Sequence, residues 1–334
     1  ESISRVLLKC ISMIEKKSRE YEIEDVFRTY GVLTREAGFY FYFSRKIREL
    51  RECGHEGTAR AYASSLRSMQ RYLGKKDFPF IKLSSRIISD YQGKLLASGI
   101  CDNTIGFYLH NIKALFRKGC REMGLELPCP FRDISIKTEK TLKRSLDPVV
   151  IKTLSAIELE KDSPLSLARD IFMFSFYTRG MSFVDIALLK KRHVFPGEIC
   201  YRRHKTDQLM RVGINKEISR ILERYKNVPG EYIFPLFPAE RDPYAGYRSA
   251  YHRIRYSLGK ISRVIGLEFP LRLHAARHSW ATIAKVNGAS VHVIGECLGH
   301  TSEKTTRIYL KELDHSALDA VNNQVADFIL AVDD

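Results

Sequence analysis

No apolar run in this sequence approaches the roughly 18 residues that a helical membrane span needs, so no candidate span is found. No secretory leader pattern opens it either, and a chain that begins on Glu1 instead of Met reads as trimmed or begun part-way through a gene. Paired cysteines are missing. Cys10, Cys53, Cys101, Cys120, Cys129, Cys200 and Cys297 are scattered, odd in number and without a Cys-x-x-Cys pair. That excludes a disulfide framework and predicts reduced thiols in a cytoplasmic protein, most of them acting as small buried hydrophobes. Internal repeats and low-complexity tracts are absent. Acidic residues are in short supply, with 39 Asp and Glu against 55 Lys and Arg, a formal net charge of +16. Such an excess favours a polyanionic partner: nucleic acid first, an anionic membrane surface second.

What is present is enough for packed cores. Hydrophobic residues make up 44%, including 17 Tyr and 18 Phe, which argues against global disorder. A length of 334 residues exceeds one ordinary core and predicts two or three domains.

The periodicity predicts a mainly α chain with a small β-sheet. Residues 1–34 read as a short helical, arm-like segment, with Val6, Leu7, Ile11, Ile14 and Tyr21 at helical spacing and Thr34 as a cap for the next helix. Residues 35–137 read as all-helical. The aromatic run Phe39 to Phe43 opens this part, and Thr58 is the expected cap of a helix that ends at Gly74. Two further helices follow, one around Ile87 to Leu96 and one starting near Asn103 or Thr104. Pro128 and Pro130 end the domain, and the polar, basic stretch 138–147 reads as a linker. Residues 148–334 form the second domain. It starts a helix at Asp147-Pro148 and holds a buried helix over Ile171 to Tyr177. Two strands fall within 194–214 and turn near Lys205 to Gln208, and helices return from about 217, 245, 275, 290 and 303.

Three segments carry chemistry. In His274-Ala-Ala-Arg277-His278, His274 and Arg277 share a face at the start of a helix. A guanidinium grips two oxygens in a fork and an imidazole moves a proton, so the pair suits a phosphate. His274 and His278 are also spaced to bind zinc, but the glutamate of a His-Glu-x-x-His site is replaced by Ala275; a satisfied structural histidine is the plainer alternative. In Leu298-Gly299-His300, Gly299 closes a helix that starts after Ser290, leaving His300 on an exposed corner. Ser302 then caps a short helix that carries Tyr309.

In order and spacing, these segments resemble the tyrosine recombinase (phage integrase) family: a His-x-x-Arg-His-x-x-Ala-Thr box, a Leu-Gly-His triplet, and a tyrosine nine residues after that histidine. The resemblance runs over about residues 35–330, and Lys205 matches the family's hairpin lysine. It implies a helical core-binding domain followed by an α/β catalytic domain. The family's first arginine departs from the pattern: Ser182 stands in its place, three residues before Asp185. Arg179 lies three residues earlier; if the chain is helical or turn-like there, both positions face one way and Arg179 takes the role. Asp185 is expected to orient its neighbours.

The resemblance implies that Tyr309 attacks a backbone phosphate to give a 3′-phosphotyrosine and a free 5′-hydroxyl. Arg179, Arg277 and His300 would hold the non-bridging oxygens, Lys205 would protonate the leaving oxygen, and His274 would take or position the tyrosine proton. No cofactor, divalent metal or ATP is implied, and the partner is double-stranded DNA. The apolar spacing of Leu310, Leu313, Leu318, Val321, Val325 and Phe328 suggests a terminal amphipathic helix. It either packs on its own domain or, as in the family, is exchanged between subunits of a homo-tetramer on DNA. Basic clusters such as Arg202-Arg203 and Arg253 with Arg255 are expected to meet phosphates. A relaxing enzyme of the type IB topoisomerase kind and a catalytically inactive DNA-binding regulator are the rival readings.

Overall fold

A computed structural model describes residues 38–137, 139, 145–237, 243–300, 305–306 and 325. The expected arm-like segment, the Thr34 cap, the Ser302 cap, Tyr309 and the terminal helix lie outside the described residues, apart from single helical positions such as Val325. The chain divides into two compact units, Glu1–Thr141 and Leu142–Asp334. Among the described residues no helix is long and apolar enough to cross a membrane.

The first unit is built from helices α1 (Phe39–Glu52), α2 (Glu56–Leu73), α3 (Ser85–Ala97) and α4 (Asp102–Glu122). The aromatic run of α1 faces inward: Phe39, Tyr42 and Phe43 are fully buried with Phe80, Tyr91, Leu109 and Phe116. Gly38 has no side chain to cap α1. Asp77 does so instead from across a loop, its carboxylate accepting from Tyr40 N at 2.8 Å and Phe41 N at 2.9 Å. A Cβ on Gly38 would meet Asp77 Oδ2 at 2.1 Å, so the remote cap requires glycine there. Thr58 is not the cap of α2. That helix starts at Glu56 behind His55, which is drawn back by its bond to Leu50 O, and Thr58 falls in the first turn.

The second unit is organised around α6 (Pro164–Tyr177), whose Ile171 to Ser175 are buried. It is flanked by α5 (Pro148–Ala156), begun as expected by Asp147 capping Val149 N and Pro148 in the first turn. After α6 come α7 (Phe183–Ala187), then strands β1 (Val194–Phe195), β2 (Glu198–Arg202) and β3 (Leu209–Gly213) in one antiparallel sheet, order β1-β2-β3. The helices α8 (Lys216–Arg224), α9 (Pro243–Val264), α10 (Leu273–Val286) and α11 (Val291–Leu298) follow. Helices α9 and α10 both pack on α6. Asp170 is a charge buried in this core; Arg169, Arg224 and the Tyr225 hydroxyl converge on it, the pairing a buried carboxylate needs. Among the described residues the chain is therefore mainly helical with one small sheet, as the periodicity predicts.

Candidate active site

Four chain turns of the second unit meet at one place. The first follows α6. Gly180 N donates to Ser175 O at 2.7 Å and the Ser175 hydroxyl to Met181 O at 2.8 Å, which fold the chain back sharply after Tyr177. This turn puts Arg179 in the left-handed region at φ 59°, beside Gly180 at φ 74°. A non-glycine residue held there costs on the order of 1–3 kcal/mol, the kind of strain that clusters at working sites. Ser182 then caps α7, its Oγ accepting from Asp185 N and donating to Asp185 Oδ2 at 2.6 Å.

The second turn is the β2–β3 hairpin. Its end is tied by Arg203 N to Gln208 O and by Asp207 N to Arg203 O, both 2.8 Å, and Lys205 is exposed at the tip. Asp185 links the two turns. Its Oδ1 accepts from His204 N at 2.8 Å while Oδ2 holds Ser182. The orienting role expected of Asp185 has this concrete form.

The third is the start of α10. Arg277 is 4% exposed, and its guanidinium bridges two other turns: Nη1 donates to Gly180 O at 2.8 Å and Nη2 to Leu298 O at 2.5 Å. A Cβ on Gly180 would lie 2.6–2.8 Å from Arg277 Cγ, Cα and Cβ, so Gly180 is required by close approach as well as by its φ. His274, one turn earlier, is exposed, with its ring 5.0 Å from that of His278. His274 and Arg277 share the lining of a cavity of about 230 Å³ with Gly180, Ser182, Tyr247 and Tyr251.

The fourth is the Leu298-Gly299-His300 corner. Ser290 caps α11 and Gly299 ends it at φ 63°, as the sequence predicts. Gly299 also packs against the hairpin: a Cβ there would meet Met210 Sδ at 2.9 Å. His300 is half-buried, not on an exposed corner as expected, because it is wedged between two partners. Nε2 lies 2.9 Å from Arg277 Nη2 and Nδ1 lies 3.0 Å from Thr306 Oγ1. A guanidinium can only donate, so Nε2 accepts and Nδ1 carries the proton toward Thr306. Burial, then Arg277, Arg203 and Lys205, push the His300 pKa down to about 4. Near neutral pH the ring is uncharged. A nearby phenol, Tyr201, has its pKa raised by burial and then by Asp185, which keeps it protonated.

The corner thus gathers Arg277, His300 and, from the hairpin, Lys205, with His274 sharing the Arg277 cavity. Arg179 takes another course. Its Nη1 reaches Arg211 O on β3 at 3.4 Å, and the left-handed turn separates it from Ser182, which faces Asp185. Residues 179 and 182 therefore do not act as one helical face. Two contributors were not legible in the pattern alone, Thr306 behind His300 and Gly180 under Arg277; Arg203, expected only as one of the flanking phosphate contacts, donates from Nη1 to Gly299 O at 2.5 Å. The only sequence signal was the pair of glycines beside motif residues.

Residues 145–315 match the phage integrase family, and residues 38–131 match a phage integrase SAM-like domain. Among curated relatives, the tyrosine recombinase XerC of Shewanella oneidensis is 26% identical over 226 residues, covering 65% of this chain and 70% of the relative. The tyrosine recombinase XerD of Pseudomonas putida is 24% identical over 262 residues, covering 76% and 86%. Among solved structures, the Tn1549 transposon integrase in complex with a circular intermediate DNA aligns with a TM-score of 0.64 at 15% identity, covering 86% of this chain and 99% of that one. A lambda integrase tetramer bound to a Holliday junction aligns at 0.60 and 15% identity, covering 90% and 84%. Likenesses at such identities concern the fold; the family match, spanning more than half the chain and the whole corner described above, concerns membership. The chain belongs to the phage integrase family of tyrosine recombinases.

Proposed function

We propose that this protein cuts and rejoins double-stranded DNA at specific sites, with Tyr309 as the nucleophile. In the cleavage step the Tyr309 oxygen forms a bond to phosphorus and the bond from phosphorus to O5′ breaks. The phenol proton passes to His274, and Lys205 delivers a proton to O5′. The products are a 3′-phosphotyrosine and a 5′-hydroxyl, and the reverse step on a new 5′-hydroxyl rejoins the strand. Arg277 holds a non-bridging oxygen, and His300 joins it once the charge of the phosphate raises its pKa and Nε2 takes a proton, so that both meet the charge that gathers in the transition state. Arg179 is the arginine that the sequence assigns beside them.

The observation that carries this reading is the 2.9 Å contact of Arg277 with His300 at a corner that packs directly on the lysine-bearing hairpin. An incoming phosphate supplies the negative charge that three cations around a neutral His300 are arranged to meet. The DNA-bound lambda and Tn1549 integrases support DNA as the partner. The lambda dimer and tetramer support assembly of several subunits on it, for which we propose a homo-tetramer with exchanged terminal helices.

The test uses nicked duplexes randomised around the nick, incubated with the protein and then denatured in SDS. DNA should remain covalently attached, be enriched in one sequence, and be lost entirely with Tyr309→Phe. Relaxation of supercoiled plasmid without sequence preference would favour the topoisomerase reading. Tight binding with no adduct would favour the regulator.

A further inference from the structure

The motif position that carries an arginine in the family is Ser182 here, and the structure gives that serine a neutral task at Asp185. Arg179 Nη1 reaches Arg211 O on β3 at 3.4 Å, with no bond to the Leu298-Gly299-His300 corner among those of the described residues. Arg203 is placed differently. Its Nη1 donates to Gly299 O at 2.5 Å, while Arg277 Nη2 donates to Leu298 O at 2.5 Å. Two guanidinium groups, from strand-end and helix, are thus anchored on successive carbonyls, immediately before His300. We propose that Arg203 is a catalytic residue, the second guanidinium of the site, gripping a non-bridging oxygen of the scissile phosphate opposite Arg277. This rests on the cleavage reaction proposed above.

Three further observations support it. Arg203 presses harder on His300 than Lys205 does. Its own main chain is fixed at both N and O within the hairpin turn, so the side chain starts from a rigid base two residues from Lys205. A guanidinium has five N–H donors, and one bond to Gly299 O leaves donors for an oxyanion. Its neighbour Arg202 is a contrast: it is exposed and paired with Asp207 O and Oδ2. Exposed pairs of that kind belong to the general phosphate-contacting surface.

The inference is tested with Arg203→Ala, Arg203→Lys and Arg179→Ala on duplexes selected by the unsubstituted protein, carrying either a phosphodiester or a methylphosphonate at the cut. A methylphosphonate replaces one charged oxygen with methyl, so a guanidinium whose task is to neutralise that oxygen becomes dispensable. On phosphodiester DNA, Arg203→Ala should lower the rate of adduct formation roughly 100-fold, the usual cost of one transition-state donor, while leaving non-covalent binding within about threefold. On methylphosphonate DNA the deficit should shrink to about tenfold or less, with Arg203→Lys intermediate on the phosphodiester. Arg179→Ala should lose about tenfold or less and show no such recovery. Equal deficits of Arg203→Ala on both substrates would mean that Arg203 only anchors the corner, and would overturn the proposal. A near-parental rate on the phosphodiester would overturn it too. In either case the parent's adduct would leave the recombinase reading standing; a parent that forms no adduct would remove that reading and this one together.

Discussion

His300 shows how a single side chain can be set by its surroundings before any substrate arrives. Its Nε2 accepts from Arg277 and its Nδ1 faces Thr306, and burial with three cations pulls its pKa to about 4. The unfolded chain takes up the same proton near pH 6.5, so acidification from about 6.5 towards 4 favours the unfolded chain. Stability should therefore fall across that window, and His300→Gln should flatten the slope in denaturant titrations. Above pH 6.5 the two proteins should run parallel. A phosphate at the corner acts in the opposite direction. Proton-detected titration of the ring should show its pKa rising when DNA binds, and an unchanged value would mean that the scissile phosphate does not sit there.

At the scale of elements, the β2–β3 hairpin owes its place to Asp185, which stands on α7 and holds His204 N. Asp185→Ala leaves that N–H and the Ser182 hydroxyl without this acceptor, a cost of about 1–3 kcal/mol. The functional effect should fall on Lys205, by loosening the tip that carries it. Cleavage should slow roughly 10- to 100-fold, part of what a positioned acid contributes. A 5′-thiol leaving group needs no proton, so DNA with sulfur at the bridging 5′ position should restore most of the rate; no restoration would place the damage elsewhere. Helices and strands were legible because long apolar periods and turn residues dictate them. Gly299 ending α11, and the alternation of Met210 with Val212 on β3, are examples. The cap of α1 was not legible, since Asp77 lies far from it in sequence and acts only through the folded loop. The environment of Arg179 and Ser182 was missed for a related reason: spacing gives a face only when the backbone is helical, and a left-handed residue intervenes.

For the whole molecule, the net charge of +16 predicts a strong electrolyte effect. Affinity for random duplex should drop about a thousandfold or more between 50 and 200 mM salt, as expected for several phosphate contacts. Fluorescence anisotropy over that range checks it, and a flat response would remove the phosphate-contacting surface from the account. The motifs lie far apart along the chain, and what joins them is small. Gly299 meets Met210 with no room for a methyl group, so the spacing between corner and hairpin is set by a missing carbon atom. A sequence that gained one there would have to turn aside or shorten the thioether side chain opposite, so a change at either of these two distant positions is expected to be felt at the other.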